Sequence, residues 1–115
     1  MNGPKEIRLT KISDIAEGAV KAYAIDDNRK VALTRVGNTF YAFEDRCTHD
    51  DGELASGHMA DANSIECPRH GARFDVKTGK ATRMPAVYPI EIYPVEVRNG
   101  EVWIKIPTSV TVEEQ

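Results

Sequence analysis

The sequence predicts an all-β fold with a loop-built site inserted into it, on three observations. Turn-forming residues recur at short intervals between runs rich in Val, Ile, Tyr and Phe, the pattern of short strands joined by tight turns. Asn99-Gly100 separates two alternating runs near the end of the chain, and this dipeptide suits a two-residue hairpin turn. The one stretch with helix signals, 13–18, has room for a single turn.

In chain order, a short apolar run at 7–9 precedes Ser13-Asp14-Ile15-Ala16-Glu17-Gly18, read as one helical turn capped by Ser13 and stopped by Gly18. Strands are expected at 20–25 and 30–36. Gly37-Asn38 then turns the chain into a strand at 39–43. The final hairpin pairs 93–98 with 101–106. A two-residue loop sets Arg98 opposite Glu101, Val97 opposite Val102, Val95 opposite Ile104 and Tyr93 opposite Ile106. Glu96 and Lys105 fall between the apolar positions, as a ribbon buried on one side requires. Between the hairpins, about 44–85, the chain is dense in Gly, Asp, Arg and His and poor in apolar runs; this is the loop-built site. The tail 107–115, with Glu113 and Glu114, is expected to fray into solvent.

At 115 residues the chain is expected to be one domain, 1–115, with enough buried surface for a core without staples. An apolar fraction of 41% and a charged fraction of 29% are ordinary for a globular protein and argue against disorder. The net charge of -3 offers no basic footprint for nucleic acid or an anionic membrane. No apolar run approaches the roughly 20 residues of a membrane span, and no secretory signal is visible, so the expected address is the cytoplasm.

The candidate ligands fall into two clusters, Cys47-Thr48-His49 and Cys67-Pro68-Arg69-His70, with 17 residues between them. Each offers one thiolate and one imidazole, so two equal arms can converge on one metal group. Gly52 and Gly71 follow closely, and without a Cβ they let backbone amides approach a bound group. A tetrahedral zinc site could use the same four residues, but zinc modules usually place like ligands together, as C-x₂₋₄-C and H-x₃₋₅-H. A Cys47–Cys67 disulfide, with both histidines incidental, would leave the C-P-x-H-G element and the paired spacing unexplained.

The pattern C-x-H, 17 residues, C-P-x-H-G resembles the Rieske signature, in which two histidines replace two cysteines on one iron of a [2Fe-2S] cluster. The resemblance extends through Phe74-Asp75, Thr78-Gly79, Pro85 and Tyr93-Pro94-Val95-Glu96-Val97 to Gly100-Glu101-Val102-Trp103-Ile104, over about residues 5–106. It implies an antiparallel β-sandwich base with a small cluster-binding lobe. Cys47 and Cys67 would ligate one iron, and His49 and His70 the other, nearest to solvent. Residues 83–87 would form a proline-containing cover. The chain also departs from high-potential members of the family. Gly52 and Arg69 stand where those carry two further cysteines, and Ala72 and Phe74 where they carry a serine and a tyrosine that bond cluster and cysteine sulfurs. Such hydroxyls favour the reduced, more negative cluster. Without them the potential is expected near the bottom of the roughly -150 to +300 mV Rieske span.

The resemblance implies a low-potential ferredoxin of the kind found in bacterial ring-hydroxylating dioxygenase systems, a one-electron carrier between a flavin reductase and a terminal oxygenase, expected as a monomer. The alternative is a fixed small subunit of a larger redox enzyme, such as one resembling a nitrite reductase. Oxygen activation needs a second iron on two histidines and a carboxylate, and with the cluster formed only His58 is left over. His58 itself reads as a surface loop residue. Asp45, Asp50, Asp51, Glu53 and Asp61 form either an acidic docking face or a solvated loop. Arg46, Arg69 and Arg73 pair with those carboxylates, tune the cluster or meet a partner, Arg69 being the best placed for contact beside His70. Trp103 and Tyr93 are read as sheet packing.

Overall fold

The computed structural model describes residues 5–26, 29–46, 53–68, 71–84 and 88–106. Its strands are β1 (Lys5–Lys11), β2 (Val20–Ala24), β3 (Lys30–Val36), β4 (Thr39–Glu44), β5 (His58–Met59), β6 (Ser64–Glu66), β7 (Arg73–Asp75), β8 (Ala81–Arg83), β9 (Ile92–Tyr93), β10 (Val95–Arg98) and β11 (Glu101–Ile106), with 3-10 turns at Ile12–Asp14 and Leu54–Ser56. All pairings are antiparallel. They form three sheets, ordered β1-β11-β10, β2-β3-β4-β9 and β5-β6-β7-β8.

The middle sheet explains the layout. On β3, Val31 and Leu33 point into a core with Phe40, Ala42, Tyr93, Val102, Ile104 and Ile106, so the first two sheets pack face to face as a sandwich. Between them on the chain, Ala32 points the other way, joining Phe43 in a second core with Leu54, Ile65, Phe74, Val76 and Ile90 of the lobe. A strand covered on both faces loses its polar alternation, and Val31 to Thr34 are all fully buried. The lobe is thus the third layer, seated on the back of the sandwich.

The last hairpin has the expected register from Arg98–Glu101 to Val95–Ile104, turned by Asn99 (φ 48°) and Gly100 (φ 78°). The expected Tyr93–Ile106 pair does not form. Tyr93 lies on β9 opposite Ala42 in the middle sheet, because Pro94 has no N–H to continue the ladder; only its carbonyl is used, by the Lys105 N–H at 3.0 Å. Near the N-terminus the helical turn starts earlier than expected. Ser13 lies inside it rather than capping it, and the Asp14 carboxylate accepts the Lys11 N–H at 3.3 Å. Gly18 (φ 80°) closes a separate turn, in which the Ala19 N–H reaches the Ala16 carbonyl at 3.0 Å. The tail 107–115 lies outside the described residues.

Candidate metal centre

The first ligand arm leaves the sandwich at the end of β4. The Asp45 N–H donates to the Lys30 carbonyl at 3.0 Å, which continues the β3–β4 pairing by one step. Cys47, His49, Asp50, Asp51 and Gly52 follow and lie outside the described residues. The chain re-enters at Glu53, which pairs with Lys30 at 2.7 Å on the surface. Leu54 then drops into the lobe core with no exposure. Asp45 ties exit to re-entry: its side chain is buried, and Oδ1 accepts the Ala55 N–H at 2.7 Å. Oδ2 is buried without a hydrogen-bond partner among the described residues. Burial pushes this carboxyl above the usual carboxylate range, against the opposing pull of the Ala55 N–H.

The second arm is the β6–β7 hairpin. Cys67 follows β6, its N–H bonds the Ala72 carbonyl at 2.8 Å, and the Gly71 N–H returns to the Cys67 carbonyl at 3.1 Å. Gly71 has φ 75°, the left-handed conformation that completes the turn. Cys67 is a free cysteine, 1% exposed, in the core that also holds Leu54, Ile65, Ala72 and Phe74. The disulfide reading therefore fails. Below the turn, Arg73 Nε donates to Glu66 Oε1 at 2.8 Å across the hairpin. This hydrogen bond holds the Glu66 carboxyl below its ordinary range. Arg69 and His70 lie outside the described residues.

The roots of the two arms touch. Leu54 of the first shares its core with Cys67 and Ala72 of the second. Gly57 packs so closely on β6 that a Cβ there would stand 2.0 Å from the Glu66 carbonyl oxygen. Of the four sequence-predicted ligands, the described residues include only Cys67, and its setting fits an iron–sulfur cluster: a free thiol screened from water by aliphatic and aromatic side chains directly after β6.

Other expected residues sort differently. Asp45 belongs to neither a docking face nor a solvated loop, because it is buried. Glu53 is held by Lys30, and the exposed Asp61 accepts the Asn63 N–H at 2.8 Å. Arg73 pairs with Glu66 and Arg46 with Glu44. His58 is exposed, as expected, but on β5 opposite Glu66 rather than in a loop. Tyr93 packs in the sandwich core, and Trp103 lies on the outer sheet with the Arg98 guanidinium 4.9 Å from its ring centre. The supports Glu66 and Gly57 were missed. Glu66 was legible in principle, since a hairpin closing around Cys67 to Ala72 sets Glu66 opposite Arg73.

A family model described as the Rieske [2Fe-2S] domain matches residues 5–94. The chain is 42% identical over 96 residues to the 3-phenylpropionate/cinnamic acid dioxygenase ferredoxin subunit of Escherichia coli (strain K12), covering 84% of this chain and 89% of that one. A chain in the solved complex of reduced oxygenase and oxidized ferredoxin in carbazole 1,9a-dioxygenase superposes with a TM-score of 0.82 at 36% identity, over 86% of this chain and 91% of that one. A nitrite reductase small-subunit structure from Mycobacterium tuberculosis reaches 0.79 over 90% and 96% of the two chains, but at 17% identity it shares the fold alone. On the matching model, the ferredoxin relatives and the buried thiol directly after β6, the chain belongs to the Rieske [2Fe-2S] domain family.

Proposed function

We propose that Cys47 and Cys67 hold one iron of the cluster and His49 and His70 the other, and that the protein carries single electrons from a flavin reductase to a terminal oxygenase as a cytoplasmic monomer. The observation that carries this reading is the buried, free Cys67 on a hairpin whose root is packed against the root of the Cys47–His49 arm. The cluster supplies a one-electron couple, and the protein is a component of an oxidoreductase system without catalysis of its own. The relatives named as dioxygenase ferredoxins, and a ferredoxin solved with its oxygenase, support the choice of partner.

The chain's own residues set the conditions of transfer. Leu54, Ile65 and Phe74 keep water from the Cys67 side of the site. Ala72 and Phe74 are buried and carry no hydroxyl to bond a sulfur, which supports a potential in the lower part of the roughly -150 to +300 mV range. Met84 and Tyr88, 71% and 69% exposed, flank residues 85–87; the proposed cover, 83–87, lies partly outside the described residues. Exposed apolar groups at such a place suit contact with a protein partner. Among the described residues no helix is long and apolar enough to cross a membrane.

The test is a visible spectrum of protein grown with adequate iron, followed by redox titration. A red-brown protein that partly bleaches with dithionite, with a potential below about +100 mV, is expected. A colourless or zinc-loaded protein would overturn the ligand assignment. Size-exclusion chromatography of native protein separates shuttle from fixed subunit. Elution alone at moderate salt is expected of the shuttle, and co-elution with a large partner at both low and moderate salt would sink it.

A further inference from the structure

We propose that Asp45 is the positioning residue of the first ligand arm, its buried carboxylate clasping the segment that carries Cys47 and His49 to the edge of the sandwich. The role rests on the ligand assignment proposed above.

Asp45 is held from both ends. Its backbone is locked to Lys30 of β3 at 3.0 Å, so its place is set by a strand whose residues Val31 to Thr34 are fully buried. Its carboxylate reaches across the base of the arm to the Ala55 N–H at 2.7 Å, joining the two ends of the segment whose sequence contains both proposed ligands. The backbone groups of a 3-10 turn lack partners at its start, and this carboxylate provides one for the turn that follows the arm. A buried acid with one oxygen unpartnered is costly to keep, and a neutral acceptor would serve ordinary packing. The cost is explicable if the arm needs a strong, short clasp to present its thiolate and imidazole in fixed directions. The surface pair between Lys30 and Glu53, each side chain 53% exposed, parallels the clasp but is open to solvent and cannot replace it.

Such a residue acts on the cluster through the arm, so the test reads the cluster. In holoprotein reduced with dithionite, D45A should broaden the electron paramagnetic resonance spectrum, reporting a spread of ligand geometries. Cluster loss to a ferrous chelator should be about tenfold faster or more, as expected for removing a hydrogen bond to a charged group. D45N, whose amide oxygen can still accept the Ala55 N–H in a neutral and weaker bond, should keep the wild-type line shape and lose cluster at a rate between those of the wild type and D45A. Should D45A not accumulate, D45V fills the site without accepting a hydrogen bond and carries the same expectation. A D45A protein with reduced melting temperature but wild-type spectrum and chelation rate would overturn the role while leaving the ligand assignment standing. A colourless wild type would overturn the assignment itself.

Discussion

The sandwich and the lobe are both made of antiparallel strands, yet they reach order by different means. Sandwich strands β1 and β3 run for seven residues each and present alternating apolar side chains to a shared core. The lobe strands are two or three residues long, too short to hold a register by alternation. Its apolar residues come singly from turns and strand centres, as Leu54, Ile65, Phe74 and Val76 do. What aligns them is close backbone contact at Gly57 and Gly79, the clasp at Asp45 and, on the ligand assignment proposed above, a cluster that would join the two arms. The difference teaches that one half of this molecule stores its order in side-chain pattern, and it predicts that the other half depends on its cofactor.

The largest expected effect breaks that comparison directly. Removal of the cluster, by chelation or by C67S, should raise amide exchange at Ile65 and Phe74 on the order of 100-fold or more, the effect of losing a ligand present at 100 times its dissociation constant. Val31, Leu33 and Ile104 should keep their protection. Hydrogen exchange resolved by residue checks this, and uniform loss across all five would show that the two regions fold as one unit.

A glycine pair sharpens it at the next scale. Gly18 in the sandwich and Gly79 in the lobe share almost the same backbone conformation, φ 80° and 83°. A Cβ at Gly18 would meet nothing within 4 Å, whereas at Gly79 it would stand 2.2 Å from the Ile90 carbonyl oxygen. Gly18→Ala should therefore cost only the left-handed conformation, about 1–2 kcal/mol. Gly79→Ala should cost about 2–5 kcal/mol, because the turn must also pull back from the Ile90 carbonyl. Urea unfolding of both variants measures the gap, and equal losses would remove close packing as the source of lobe order.

The same contrast governs what could be read from the chain. Asn99-Gly100 fixed a register correct to the residue because a two-residue turn leaves no freedom. The reading failed one step later, at Pro94, where the missing N–H ends the ladder and sends Tyr93 to the other sheet. The run at Val31 to Thr34 was recognised as a strand, but its two-sided burial shows only once the lobe is in place. In the lobe, the ligand spacing was legible and the four short strands were not, since period-2 alternation needs more residues than they have. Asp45 was illegible for a different reason. An acid among acids reads as solvated, and only the fold shows it turned inward to Ala55.

Tyr93 gives a probe of the sandwich alone. Burial and the nearby carboxylates of Glu91 and Glu44 push its phenol up to about 12. An acid raised on folding favours the neutral native form, so its contribution is intact below pH about 10 and is lost as pH rises from there to about 12, by on the order of 2–3 kcal/mol. Ultraviolet titration should show Tyr93 ionising late, in cluster-free protein as well as in holoprotein. Late ionisation that disappears with the cluster would mean the sandwich core also depends on it. Y93F should flatten the stability loss over that pH window.

The smallest expected effect lies nearest the metal. Arg73 and Glu66 brace the second arm immediately below Cys67, yet their side chains are 36% and 21% exposed, so water and salt screen the pair. The turn above them is already fixed by the Cys67 N–H to the Ala72 carbonyl and by the left-handed Gly71. R73Q should therefore cost about 0.2–1 kcal/mol, with most of the difference gone near 1 M salt, where the screening length falls to about 3 Å. The cluster spectrum should not change. Loss of more than about 2 kcal/mol, or a broadened spectrum like that expected of D45A, would show that the second arm depends on its ion pair rather than its backbone. The two arms would then be held by the same device, a carboxylate clasp, despite one being buried and the other wet.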